Sequence, residues 1–288
     1  MLTKEEKALI KTLVYADIFD YPLKENELWR YFIGKKIKLY AFHQAISLLI
    51  KKKRIEYKDG FYTLKKRKFL IRERLQKEKI AVFKLTHAKQ VAQWLSIVPT
   101  IHFIGVSGAL AVNNAPEDDD IDFFIICAPG MLWTTRLFAT LFLDLLGMRR
   151  KPGQTKFKNK ICLNMFIDRS KLVLPKNERD LYSAHEVAQL KPLVNKFATY
   201  ERFLKANAWA LTFLPHAFSL LSLDFTKNRG VPKEISYIET KLKQFQTWYM
   251  RKRRTNEVIR SYMLRFHPHD LRSFINELYS LRLQQMNV

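Results

Sequence analysis

The stretch GVSGALAVNNAPEDDDIDFFII, residues 105–126, decides how this chain is read. Five carboxylates, Glu117, Asp118, Asp119, Asp120 and Asp122, fall in six consecutive positions directly before an apolar run. An isolated run of this kind is a solvated acidic loop. Its flanks argue for more. Residues 100–106, TIHFIGV, read as an apolar strand that stops at Ser107-Gly108, where a small residue permits a tight turn and lets backbone N–H groups approach an anion. A short helical stretch over 109–112 and the polar turn Asn113-Asn114-Ala115-Pro116 follow, and a strand resumes over 120–126. Strand residues i and i+2 share a face, so Asp120 and Asp122 point the same way while Ile121 and Phe123 enter the core. Two carboxylates side by side repel, and a divalent cation between them relieves the repulsion. Mg²⁺ favours such oxygen ligands and completes its octahedron with waters and phosphates.

A phosphate-cradling turn 12 residues upstream of a carboxylate pair resembles the DNA polymerase beta-like nucleotidyltransferase superfamily. Its motif runs hydrophobic, Gly, Gly or Ser, about a dozen residues, then Asp, hydrophobic, Asp or Glu, hydrophobic. Gly108 matches the motif glycine, and Asp120, Ile121, Asp122 and Phe123 match the acidic half position by position. Ala109 stands where the family has Ser or Gly, which removes a hydroxyl; Ser107 offers one from the neighbouring position. The resemblance implies Mg²⁺ or Mn²⁺ on Asp120 and Asp122, and an NTP held by Ser107, Gly108, Ala109 and Asn114. It also implies, in many members, a third carboxylate on a following strand that deprotonates the acceptor. After an expected helix over 131–146 and the basic turn GMRRKPGQTKFKNK, the next strand is ICLNMFID, 161–168. The third position is either Asn164, a neutral residue, or Asp168 at the strand end, the latter assigned as the base. Arg149, Arg150, Lys151, Lys156, Lys158 and Lys160 in the basic turn either guide a phosphate-bearing substrate or form a solvated connection.

The first seventy residues read as a separate unit. Helical spacing over 4–15, a break at Asp20-Tyr21-Pro22, a short helix from Glu25 and a third helix over 41–51 precede two β-prone runs, 55–58 and 61–64. Asp59-Gly60 between those runs is a strong hairpin signal. Three helices and a hairpin resemble a winged helix-turn-helix domain, in which the third helix commonly enters the major groove. Between 51 and 80 there are 13 Lys or Arg against 4 Asp or Glu. Lys51, Lys52, Lys53, Arg54 and Lys58 are therefore expected to contact nucleic-acid phosphates. A protein-binding winged domain with solvated charge is the competing reading.

The whole chain carries 51 Lys or Arg against 27 Asp or Glu, a net charge of +24, which favours a polyanionic partner. Cys127 and Cys162 lie in apolar runs and read as reduced core thiols of a cytoplasmic protein. Residues 206–223 lack Asp, Glu, Lys and Arg, but Pro215 divides them, so a buried helix is expected and no membrane span. From about 180 onward, apolar spacing of three and four predicts helices. His185 reads as structural, and Asp270 after His267-Pro268-His269 as a helix N-cap. Trp248 and Tyr249 beside Arg251, Lys252, Arg253 and Arg254 suit either a nucleic-acid surface or a helix with a basic solvent face.

The expected whole is an α/β (α+β) chain with three units. Residues 1–70 form the winged-helix-like domain, 71–185 the polymerase-beta-like core with a mixed sheet, and 186–288 a helical domain. Its expected activity is Mg²⁺-dependent transfer of a nucleoside monophosphate to RNA, a protein side chain or a small molecule. The alternative is a non-catalytic nucleic-acid-binding regulator with a degenerate core.

Overall fold

Thr3 opens the first helix by accepting from the Glu6 N–H while the Glu6 carboxylate accepts from the Thr3 N–H, a reciprocal cap. Helix α1 (Lys4–Asp17) then buries Leu9, Ile10, Leu13 and Val14. The computed structural model describes residues 1–219, 237–251, 257–266 and 271–288. The HPHD segment at 267–270, Lys252, Arg253, Arg254 and the end of the apolar stretch from Leu220 lie outside the described residues.

Strand β1 (Leu23–Lys24), helix α2 (Glu25–Arg30), helix α3 (Leu39–Lys51) and strands β2 (Ile55–Lys58) and β3 (Phe61–Leu64) complete an N-terminal unit. Its three-stranded antiparallel sheet has the order β1-β3-β2. The hairpin turns at Asp59 and Gly60, both at positive φ (52° and 84°), as a two-residue turn of this hand requires. Helix α4 (Leu70–Leu95) follows and buries Ala81, Ala88, Val91, Ala92 and Leu95.

A six-stranded mixed sheet carries the remainder. In chain order its region comprises β4 (Ile101–Val106), α5 (Gly108–Ala111), β5 (Ile121–Cys127), α6 (Leu132–Leu145), β6 (Ile161–Asp168), α7 (Leu181–Gln189) and β7 (Lys191–Asn195). Helices α8 (Thr199–Ala206) and α9 (Tyr237–Met250), strands β8 (Val258–Ile259) and β9 (Met263–Arg265), and helix α10 (Arg272–Met286) complete it. The strand order is β7-β4-β5-β6-β9-β8, and β5 with β6 is the parallel pair, joined by α6.

Side-chain alternation along β5 sends Ile121, Phe123, Ile125 and Cys127 into a core closed by α4 and α6. Phe124 and Ile126 face the opposite core, shared with Val187 of α7, Phe203 of α8 and the interior of the N-terminal unit. Asp122 belongs to this second face, at its start.

Residues beyond 186 do not form the separate helical domain that the periodicity suggests. They supply β7, β8 and β9, three of the six strands. Leu9 of α1 and Ile275 of α10 lie in one continuous core, so the N-terminal unit is packed against the C-terminal helix. Arg74, fully buried on α4, ties the unit down further: it pairs with Glu27 at 2.9 Å and Glu78 at 3.0 Å, and donates to the carbonyl of Asn113. Among the described residues, no helix is long and apolar enough to cross a membrane.

Candidate metal centre and adjoining cavity

β4 delivers the chain to Ser107, whose N–H donates to the Asp122 carbonyl at 3.1 Å. Gly108 then turns with φ +66°, and a Cβ added there would stand 3.3 Å from Asp122 Oδ2. Glycine is favoured on both counts: left-handed backbone and close approach to a carboxylate. Ala109 is exposed just beyond.

Across the turn, Asp120 and Asp122 share a strand face, and the parallel register sets Cys162 of β6 directly beside Asp122. One carboxylate oxygen from each aspartate and the Cys162 Sγ lie within 4.8 Å of one another, a group able to hold a metal ion. Burial, then the Asp120 charge, pushes the Asp122 carboxyl up to about 7. The Cys162 thiol is pushed well up by burial and by Asp122, and as a protonated donor it hydrogen-bonds the Asp122 carboxylate. That chemistry leaves two carboxylates as the oxygen donors of the group, a set suited to a hard divalent cation. The fit is therefore good, with Cys162 orienting Asp122.

Cations from neighbouring elements compensate the acidic cluster. Arg150 donates to Asp120 Oδ2 at 2.7 Å and lies 4.2 Å over the Phe157 ring. Lys84 of α4 donates to the Asp119 carbonyl, and Lys158 pairs with Glu117. Burial followed by the Asp120 charge raises the Asp119 carboxyl.

The remaining expected residues are scattered. Asp168 closes the far end of β6, paired with Cys127, so five residues of strand put it roughly 15 Å from the Asp122 level. Its oxygens accept from the Gly130 and Ser170 N–H groups at 2.7 and 2.8 Å. It caps two turns and is not part of the metal group, which corrects its assignment as base. Asn164 is buried at an irregularity in the β5–β6 register, between the Leu163 and Met165 pairs. Asn114 is also buried; its side-chain amide donates to the Phe19 carbonyl at 3.0 Å, tying the loop to the N-terminal unit.

In the N-terminal unit, Lys51, Lys53 and Lys58 are exposed. Lys52 is held at 2.6 Å by the buried Glu6 carboxylate, and Arg54 donates to the Met286 carbonyl. Those two therefore have structural employment that the charge run does not reveal. His185 is buried and stacks on Tyr15 at 4.0 Å between centroids, and burial pulls it down to about 3, in keeping with a structural histidine.

One functional candidate escapes the sequence reading. Glu186 on α7 lines a cavity of about 150 Å³ together with Ser107, which follows β4, and with Phe124 and Asn164, each two residues beyond a member of the metal group on β5 and β6. Burial pushes Glu186 up to about 7 against the opposing pull of Arg265, and its charge contributes to the rise of Asp122. The available signal is a carboxylate among the small buried residues Ala184, Val187 and Ala188. No family model, curated protein or solved structure matched this chain.

Proposed function

We propose that this chain is a nucleotidyltransferase of the polymerase beta-like type, moving a nucleoside monophosphate from an NTP to a hydroxyl-bearing acceptor. The observation that carries the reading is the meeting of Asp120 and Asp122 with the Gly108 turn at the ends of adjacent strands. Asp120 and Asp122 hold Mg²⁺ (or Mn²⁺), which when bound neutralises phosphate charge and orients the reacting group. Ser107, Gly108 and Ala109 border the triphosphate, and the Arg150 guanidinium, 2.7 Å from Asp120, is placed to transfer its contact to a phosphate. The N-terminal unit has the element order of a winged helix, and Lys51, Lys53 and Lys58 are its nucleic-acid contacts.

The second reading is a regulator that binds nucleotide without turnover. Two observations favour it: Asn164 in place of a carboxylate on β6, and an aspartate already paired with arginine. Incubation with α-labelled NTPs, Mg²⁺ and cell extract separates the two, since an enzyme moves the label to an acceptor and a regulator retains NTP unchanged.

A further inference from the structure

We infer that the cavity between β5, β6 and α7 is the acceptor pocket of this site, that it takes a small hydroxyl-bearing organic molecule, and that Glu186 receives the acceptor proton. The inference rests on the nucleotidyl-transfer reading and specifies its substrate.

Position is the first argument. Ser107 follows β4 at the Gly108 turn, Phe124 is two residues beyond Asp122 on the same strand face, and Asn164 is two residues beyond Cys162. The cavity is thus lined by the strand neighbours of the metal group, one alternation further along β5 and β6. Ser107 Oγ is buried in its wall with no hydrogen-bond partner, which is costly for a hydroxyl unless something polar reaches it. Asn164 leaves the Cys162 end of β6 without a carboxylate, Asp168 lying at the far end, and Glu186 supplies one from the facing helix.

Size and charge identify the acceptor class. At about 150 Å³ the cavity is smaller than the ~300–1,000 Å³ of drug-sized ligand sites. Its walls are largely apolar, with Phe124, Met165, Leu174, Val187 and Phe203 contributing. Positive charge, abundant elsewhere on a +24 chain, is balanced here. Arg265 is 3.2 Å from Glu178, and Arg272 stands 3.7 Å from Asp180. A polynucleotide end brings phosphates that need surplus cations. A compact alcohol with an apolar body does not.

The step balances without a further reactant. The acceptor oxygen bonds to the α-phosphorus, and the bond from that phosphorus to the bridging oxygen breaks. Pyrophosphate leaves with the electron pair, and the hydroxyl proton passes to the ionised Glu186 carboxylate.

The test offers wild-type protein an α-labelled NTP with Mg²⁺ and three separate preparations from cell extract: a low-mass ultrafiltrate, protein-free RNA, and RNA-free protein. Equilibrium dialysis of Mg·NTP runs in parallel. The expected result is label in a low-mass product only. Glu186→Gln should lower that transfer roughly 100-fold or more. Leu174→Phe, which fills the cavity from a half-buried loop, should lower it about tenfold and should bind Mg·NTP as wild type does. Label in RNA or polypeptide overturns the acceptor inference and leaves nucleotidyl transfer standing. Wild-type transfer by both variants does the same, whereas bound Mg·NTP with no labelled product in any preparation contradicts the transfer reading and the inference together. Failure of wild type to bind Mg·NTP contradicts the transfer reading and the inference together.

Discussion

Arg150 donates to Asp120 Oδ2 at 2.7 Å, from the loop that joins α6 to β6. A guanidinium thus occupies one face of the carboxylate pair, where a metal ion would need the same oxygen. Replacing it with alanine should strengthen Mn²⁺ binding in the absence of nucleotide, by roughly tenfold or ~1.4 kcal/mol. Titration followed by the Mn²⁺ electron paramagnetic resonance signal reads this directly. Unchanged or weaker binding would show that the arginine does not compete with the ion.

Gly108 has a twofold constraint, φ +66° and a Cβ position 3.3 Å from Asp122 Oδ2. Gly108→Ala should cost ~1–2 kcal/mol in stability from the left-handed backbone alone. It should also weaken Mn²⁺ binding, because the methyl group crowds the ligand oxygen. A thermal melt and the same titration measure both effects; a variant matching wild type in the two would refute this role.

The pH dependence has a definite sign. Asp122 and Glu186 both titrate near 7 in the folded chain, well above the ordinary carboxylate range. Between about 4 and 7 the folded state therefore holds more protons than the unfolded state, and stability falls as pH rises through that window. Added Mg²⁺ should remove the Asp122 part by favouring its ionised form, and Glu186→Gln should remove the other. Melting temperatures across this range, with chelator and with Mg²⁺, should show a decline that is shallower with the metal. A melting temperature that climbs with pH in chelator contradicts the assignment.

Arg74 joins α4, the N-terminal unit and the loop before the acidic cluster through Glu27, Glu78 and the Asn113 carbonyl. Arg74→Met leaves those partners without their buried cation and should destabilise the chain by ~3–5 kcal/mol. Urea unfolding gives the number, and a change below about 1 kcal/mol, a factor of ten in the equilibrium being 1.4, would mean the hub is dispensable.

Nucleic-acid contact is best probed with Lys51, Lys53 and Lys58, all exposed. Lys52 is a poor choice because its loss strands the buried Glu6 carboxylate. Reversing the three exposed charges should remove most DNA or RNA retention and flatten the salt dependence of whatever binding remains. Retention equal to wild type on a filter-binding assay would leave the N-terminal unit without that role.

Much of this architecture is legible in the chain because its signals are local. The Asp59-Gly60 hairpin and the strand 161–168 form where their residues predict. The same-face placement of Asp120 and Asp122 follows from a period of two. Signals that depend on distant partners were not legible. KPLVN at 191–195 is short and contains Pro192, yet it pairs with β4. Val258, Ile259, Met263 and Leu264 mimic helical spacing but form the β8–β9 hairpin. Asp168 shares alternation with Cys162 on paper; the register irregularity at Asn164 and five residues of strand separate it from the metal group. Glu186 belongs with Asp122 only through tertiary packing of α7.

Transfer of label from α-labelled NTPs to an acceptor in cell extract, with Mg²⁺, tests the central claim most directly when wild type is set beside the Asp120→Asn/Asp122→Asn double variant. Nucleotidyl transfer at this site requires a labelled acceptor with wild type and essentially none with the double variant. Equal labelling by both, or bound Mg·NTP that wild type never transfers, would contradict it.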